Sequence, residues 1–493
     1  MYVSTRNDGM TPVSSAEAIR RGLADDGGLY MPTEIPKLTI KDIEELIPLS
    51  YVQRCARILS TFLTDYTYEE LLEDAEGAYA PDKFGKNPTP IHHLDGNISI
   101  LELWHGPTCA FKDMALQIMP RLFVRALRKQ GEERTAMILV ATSGDTGKAA
   151  LEGYRDVDGT KVKVFFPEHG VSAMQKLQMQ TQEGNNLSVS GILGNFDDAQ
   201  NGVKRIFSDP VIKEKLNREG VFLSSANSIN WGRLVPQIVY YVSSYADCVA
   251  DGRIAMGELL DVCVPTGNFG NIFAAYIAKK MGVPLGTLVC ASNKNNVLTD
   301  FLATGCYDRN RQFYPTISPS MDILISSNLE RLLYLTLGSE KCAGYMKKLV
   351  EEGKYTLTPE DKAKVCESFV GYCTDEDMTK STIKDTFENK NYLIDTHTAV
   401  ALSAAQRYMS DYKAERKMLT VSTASPYKFA RDVYASLTEA CEIPELQAPE
   451  ALAALTGVAI PLPLAELRGK EIRHRDSINK EEMENATLDF AKA

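Results

Sequence analysis

Six times along this chain an apolar strand-like run ends in a loop of small polar residues and passes into a helix-like run. TAMILV leads into ATSGDTG and KAALEGY. VKVFFP leads into EHGVS and AMQKLQMQTQ. GVFLSSANSIN leads into WGRLVPQIVYYVSSYA, and LLDVCVPTGNFG into NIFAAYIAKKMG. TLVCASN leads into KNNVLTDFLATG, and KMLTVSTAS into PYKFARDVYASL. Continuous apolar strands alternating with amphipathic helices predict an α/β fold, with doubly wound parallel sheets covered on both faces. In such sheets ligands sit where loops leave the carboxyl ends of strands, and the Gly-, Ser- and Asn-rich loops of this chain fall there.

The flanks differ in character. Residues 1–82 form an opening block, with the alternating YVSTR, the helix-like SSAEAIRRGLA and a turn at Asp26-Gly27-Gly28. DKFGKNPTPIHHLDGN then reads as a linker. Residues 307–320 read as a long loop, and 330–390 as largely helical and charged. From about Ala448 the chain carries LTGVAIPLPL and then a charged tail, whose last dozen residues are expected to be poorly ordered.

A length of 493 residues suggests about two to four domains. The net charge of −11 excludes the basic excess of a nucleic-acid protein, though not a local cationic pocket for a phosphorylated ligand. The ten cysteines form no CxxC pair, and none of the six histidines pairs with a cysteine at ligand spacing, so buried reduced thiols are expected and no metal. No run reaches the ~18 apolar residues of a membrane span. MYVSTRNDGM lacks the pattern of a secretory leader, so a cytoplasmic protein is expected.

Five loops carry the candidate chemistry. GNFGN, Gly267 to Asn271, lies between a strand and a helix. Its glycines permit close backbone approach, and the helix start favours a phosphate, although a plain strand-to-helix turn would read the same. ATSGDTGKAA resembles a nucleotide-hydrolase phosphate loop only at a glance, since Thr142 and Ala149 stand where that motif needs Gly and Ser or Thr. What remains is Ser143, Asp145 and Thr146 at a helix start, able either to hold a carboxylate or simply to cap. In SSANSINWGR, Asn230 and Arg233 suit either an anion or a helix cap. In VSTASPYKF, small hydroxyl residues close a late strand.

HGPTCAFKDMALQ places Lys112 after a small-residue turn and beside Phe111. A surface lysine is the plain reading. A lysine desolvated among apolar groups has a lowered pKa, which suits attack on a carbonyl carbon. Pro120 implies a kink or a later helix start.

In this order, HGPTCAFKD, SGDTG, NSINWGR, GNFGN and STASPYKF, with the opening YVSTR…GLADDGGLYMP, resemble the threonine synthase family of pyridoxal-phosphate enzymes of fold type II. The resemblance covers nearly the whole chain. It implies an N-terminal threonine-synthase-type domain at 1–82. A catalytic region at 83–447 follows, of two α/β subdomains with a helical insertion at about 307–390, and then a C-terminal extension at 448–493. It implies pyridoxal 5'-phosphate held by Lys112, which also shuttles protons, with the cofactor phosphate on Gly267, Asn268, Phe269, Gly270 and Asn271. Thr423 would lie near the pyridine nitrogen and Asp145 near the ring hydroxyl. Ser143 and Thr146 would meet the substrate carboxylate, and Asn230 and Arg233 the substrate phosphate. The activity implied is conversion of O-phosphohomoserine and water to L-threonine and phosphate, by a monomer or small homo-oligomer. Many relatives read STAHPAKF, so Ser425 replaces a histidine and Tyr427 a small residue, and Cys109 stands where relatives often carry an aliphatic residue. These departures keep open a phospho-lyase that releases 2-oxobutanoate, ammonia and phosphate.

Overall fold

A computed structural model describes residues 1–142, 144–169, 171–438 and 443–493. Two mostly parallel sheets form the body. The larger has six strands, in the order Phe369–Cys373, Leu285–Ser292, Leu260–Pro265, Met418–Ser422, Ile98–Glu102 and Ile91–His93, and only the last pairs antiparallel. The smaller has five, Ser477–Asn479, Leu187–Leu193, Thr160–Pro167, Thr135–Ala141 and Val221–Ser224, all parallel. The expected α/β architecture is therefore present. Its cause is visible in Leu260–Pro265, where every residue is buried, as a strand covered on both faces requires.

The opening block folds as helices started by side-chain caps. Thr39, Ser50 and Thr67 each form a reciprocal capping box at the starts of Ile40–Leu46, Tyr51–Phe62 and Tyr68–Ala78. Tyr2–Ser4 pairs antiparallel with Tyr30–Pro32. Tyr51–Phe62 packs on the long helix Trp231–Ala250, where Arg54 donates to Ser243 Oγ at 2.9 Å and pairs with Asp247 at 2.5 Å.

Two stretches depart from expectation. The charged region before residue 390 is not only helical. Phe369–Cys373 joins the larger sheet as an edge strand, and Cys306–Asp308 pairs with Lys354–Thr356. The tail is also ordered. Ser477–Asn479 adds an edge strand to the smaller sheet, and Met483–Lys492 is a helix that buries Met483, Thr487 and Ala491, a stripe at helical spacing. Met483 fits because Gly202 has no side chain, for a Cβ there would lie 2.3 Å from the Met483 sulfur.

Among the described residues no helix is long and apolar enough to cross a membrane.

Candidate active site

The loop that carries Lys112 is clamped from two sides. Phe111 N–H donates to Thr423 O at 2.8 Å, and Ser425 N–H to Cys109 O at 3.0 Å. These bonds, with the bridge between Ala110 and Ala424, zip the loop onto the one after Met418–Ser422. Cys109 takes the left-handed backbone conformation at φ 57°, which turns the chain at the start of the zipped stretch. Buried Asp113 accepts from Thr108 N–H at 2.8 Å and Thr108 Oγ1 at 2.7 Å, and burial pushes its carboxyl up to about 6. The helix expected to break at Pro120 does so: Met119–Lys129 begins there, with the proline in its first turn, where its missing N–H costs nothing.

Lys112 Nζ, on a side chain 12% exposed, lies 3.5 Å from Asp145 Oδ2 and 3.5 Å from Ser320 Oγ, and 5.3 Å from the centre of the Phe111 ring. Burial pushes its amine down. Asp145 opposes that shift, while the charges of Arg233 and Lys428 reinforce it. Asp145 is the hub of the group. Its Oδ1 pairs with Lys428 Nζ at 2.8 Å and accepts from Gln175 Nε2 at 3.0 Å, and its Oδ2 accepts from Ser320 Oγ at 3.4 Å. Burial alone would raise this carboxyl, but Lys428 and Lys112 outweigh it and hold the group well below the usual carboxylate range. Lys428 itself is fully buried and also donates to Thr108 O at 3.0 Å and Gln178 Oε1 at 2.9 Å. The sequence reading passed over Lys428. Its signal is the one used for Lys112, a lysine in an apolar stretch just past a small-residue loop.

Ser320 was also missed, and no periodicity marks it. Its turn is built by tertiary contacts. Asp322 Oδ1 accepts from Asn293, Asn295 and Thr316 at 2.7–2.9 Å, and Ser320 N–H donates to His397 Nε2 at 3.1 Å. Because that nitrogen accepts, the ring proton sits on Nδ1, which donates to Asp395 Oδ2 at 2.8 Å.

GNFGN lies directly beneath this turn. A Cβ on Gly267 would come within 2.9 Å of Ser320 O and 3.3 Å of Met321 Cα, so only glycine fits. Phe269 adopts the left-handed conformation at φ 61°, and the helix Gly270–Met281 starts without a side-chain cap. Asn268 O accepts from Asn328 N–H at 3.1 Å and Asn328 Nδ2 at 3.0 Å. Asn271 is 7% exposed; its Nδ2 is buried without a partner among the described residues. An uncapped helix start, a glycine cradle and an orphaned amide donor together suit a phosphate monoester. A buried amine in the same group of loops suits an aldehyde. The residues present therefore fit pyridoxal phosphate at both of its functional ends.

Thr423 is 7% exposed, in the loop zipped to Lys112, and Thr146 is half-buried in the first turn of Asp145–Gly153. Arg233 is buried, its guanidinium pushed by burial down to about 10, and it donates to Ala226 O at 2.6 Å. The side chain of Asn230 is occupied at both ends: Oδ1 accepts from Gly232 N–H at 2.8 Å, capping Trp231–Ala250, and Nδ2 donates to Ile19 O at 2.9 Å. Ser143 lies outside the described residues.

Three family profiles match the chain: "Threonine synthase N terminus" over residues 1–79, "Pyridoxal-phosphate dependent enzyme" over 83–424 and "Threonine synthase, C-terminal" over 398–466. Threonine synthase-like 1 of Homo sapiens is 42% identical over 434 residues, 86% of this chain but only 58% of that protein's length. Threonine synthase of Pseudomonas aeruginosa is 37% identical over 439 residues, 88% of this chain and 89% of that protein. The crystal structure of PLP-bound threonine synthase from Brucella melitensis is 34% identical with a TM-score of 0.88, covering 100% of this chain and 99% of that one.

Proposed function

The chain belongs to the threonine synthase family of pyridoxal-phosphate enzymes, fold type II, and from that premise we propose that it converts O-phosphohomoserine and water to L-threonine and phosphate. The observation that carries this reading is the group formed by Lys112, Asp145 and Lys428, set beside an uncapped glycine loop.

Pyridoxal phosphate, when bound, supplies an electron sink for charge that develops on the substrate. The chain's residues supply the rest. Lys112 Nζ would hold the cofactor at its aldehyde carbon and take and return protons at the substrate. Burial pushes that amine down, which favours the free base the task requires. Gly267, Asn268, Phe269, Gly270 and Asn271 hold the cofactor phosphate. Asp145 stays ionised between Lys428 and Lys112 and would meet the cofactor's ring hydroxyl. Thr423 would offer the ring nitrogen a neutral hydroxyl. Ser143 and Thr146 orient the substrate carboxylate. Arg233 binds the substrate phosphate; Asn230, held by Gly232 and Ile19, sets the start of the helix that presents it.

A second reading, a phospho-lyase, rests on Ser425 and Tyr427. The positions of these two residues favour the first reading. Ser425 is fully buried and accepts from Tyr427 N–H at 3.3 Å, and Tyr427 OH donates to Val458 O, so both are taken up in local packing. The test is product analysis of the purified holoenzyme with O-phosphohomoserine. Threonine and phosphate in equal amounts are expected. 2-Oxobutanoate with ammonia would replace this reading by the second, and a Lys112→Ala variant with wild-type turnover would remove both.

A further inference from the structure

The buried amide of Asn271 is asymmetric in its contacts. Its Oδ1 accepts from Tyr240 OH and Tyr241 OH, each at 2.6 Å, while its Nδ2 has no partner among the described residues. The two tyrosines are neighbours on Trp231–Ala250, with ring centres 4.8 Å apart, and both are essentially fully buried. An asparagine amide can turn over by rotation about its last bond, which exchanges its acceptor for its donor. At a phosphate site the two orientations have opposite effects: the N–H₂ end binds the anion, and the oxygen end repels it.

We propose that Tyr240 and Tyr241 are positioning residues for the cofactor phosphate: their paired hydroxyls hold the oxygen of Asn271 and so turn its amide donors toward the loop Gly267–Gly270. The orphaned Nδ2 is the second half of the observation. Burying a donor without a partner is costly, and here the cost is relieved when an anion occupies the uncapped helix start. Burial holds both tyrosine hydroxyls well above their usual range, so they remain donors at every pH at which the enzyme works. Gln237 stands beside the pair and accepts from Tyr240 at 3.2 Å, a weaker claim on the same proton.

The inference rests on the reading that Asn271 belongs to the phosphate cradle, and its test separates the two. Tyr240→Phe, Tyr241→Phe, the double variant and Asn271→Ala are prepared as apoenzymes. Each is titrated with pyridoxal phosphate and with pyridoxal, which lacks the phosphate. The ³¹P shift of the bound cofactor and the melting temperature of the apoenzyme are recorded. The double Phe variant is expected to lose roughly tenfold or more in affinity for pyridoxal phosphate, to keep its affinity for pyridoxal, and to shift the ³¹P signal. Each single variant, which deletes one hydroxyl and keeps the ring, shows a smaller loss of the same kind. In the Asn271→Ala background the Phe changes are expected to have no further effect. Unchanged affinity for pyridoxal phosphate in the double variant overturns the inference. So does equal weakening of both ligands, or an undiminished Phe effect without Asn271. If Asn271→Ala weakens pyridoxal phosphate and the Phe pair does not, only the tyrosines' role falls. If Asn271→Ala itself binds normally, the cradle reading falls with it.

Discussion

Lys428 Nζ and Asp145 Oδ1 meet at 2.8 Å across the gap between the two sheets, and neither side chain is more than 4% exposed. The pair joins the loop after Met418–Ser422 to the helix after Thr135–Ala141. Removing Lys428 leaves buried Asp145 facing Lys112 at 3.5 Å instead, and breaking a buried pair of this kind costs about 3–5 kcal/mol. Lys428→Met is therefore expected to lower unfolding free energy by that order, read by urea denaturation. Lys428→Met combined with Asp145→Leu should cost less than the sum of the single changes. Additive costs would show that the pair is not coupled.

Gly267→Ala tests the cradle by sterics alone. The new Cβ would press on backbone atoms of Ser320 and Met321, which cannot swing aside as a side chain can. The loop must shift, and cofactor affinity, titrated on the apoenzyme, should fall about tenfold or more while the fold survives. Wild-type affinity would mean that the loop has slack which the packing does not show.

Asp113 gives a pH signature. Its carboxyl is raised from 3.8 to about 6 by burial, so the folded state binds this proton more tightly than the unfolded chain does. Its contribution to stability is therefore present below about 4 and is lost as pH rises through about 6. The full difference is on the order of 3 kcal/mol. Asp145 works in the opposite sense. Its carboxyl is lowered, so its contribution is present above the usual carboxylate range and lost in acid. Asp113→Asn should flatten the stability profile between about pH 4 and 6 relative to wild type. An unchanged difference between the two across that window would contradict the assignment.

Tyr427 anchors the segment that follows the active-site loops. Its hydroxyl donates to Val458 O, and its ring is 1% exposed. Tyr427→Phe should cost about 1 kcal/mol and speed limited proteolysis within 443–469, with the ratio of threonine to 2-oxobutanoate unchanged. A changed product ratio would instead place this residue in control of the chemistry.

Residues whose environment is local were legible in the sequence. LLDVCVPT reads as a strand buried on both faces because every residue in it except Asp261 is apolar or small; Leu260–Pro265 is buried throughout, with Asp261 Oδ1 accepting from Thr287 N–H at 2.6 Å. Lys112 stood out through its immediate neighbours. Phe369–Cys373 did not, because five residues between charged helices carry too little pattern. Lys428 and Ser320 acquire their meaning from partners far along the chain, Asp145 and His397, which no spacing announces. Asn230 was read as either an anion contact or a helix cap; its Oδ1 caps Trp231–Ala250 through Gly232 N–H and its Nδ2 donates to Ile19 O. The tail read as disordered because it is charged, yet three residues one helical turn apart bury its inner face.

The smaller sheet takes four strands from residues 135–224 and its edge strand from Ser477–Asn479, so the whole of Met418–Ser422 and its parallel neighbour Leu260–Pro265 intervene along the chain. Pairing Gly191 with Ser477 closes a very long loop, the kind of contact that forms late and slows folding. The smaller sheet therefore gains its fifth strand only once the C-terminal segment is in place. In native-state hydrogen exchange, the amides of Ser477–Asn479 should open together with those of Met483–Lys492, and at lower free energy than the rest of the smaller sheet, where Leu187–Leu193 is held by six pairs to Thr160–Pro167.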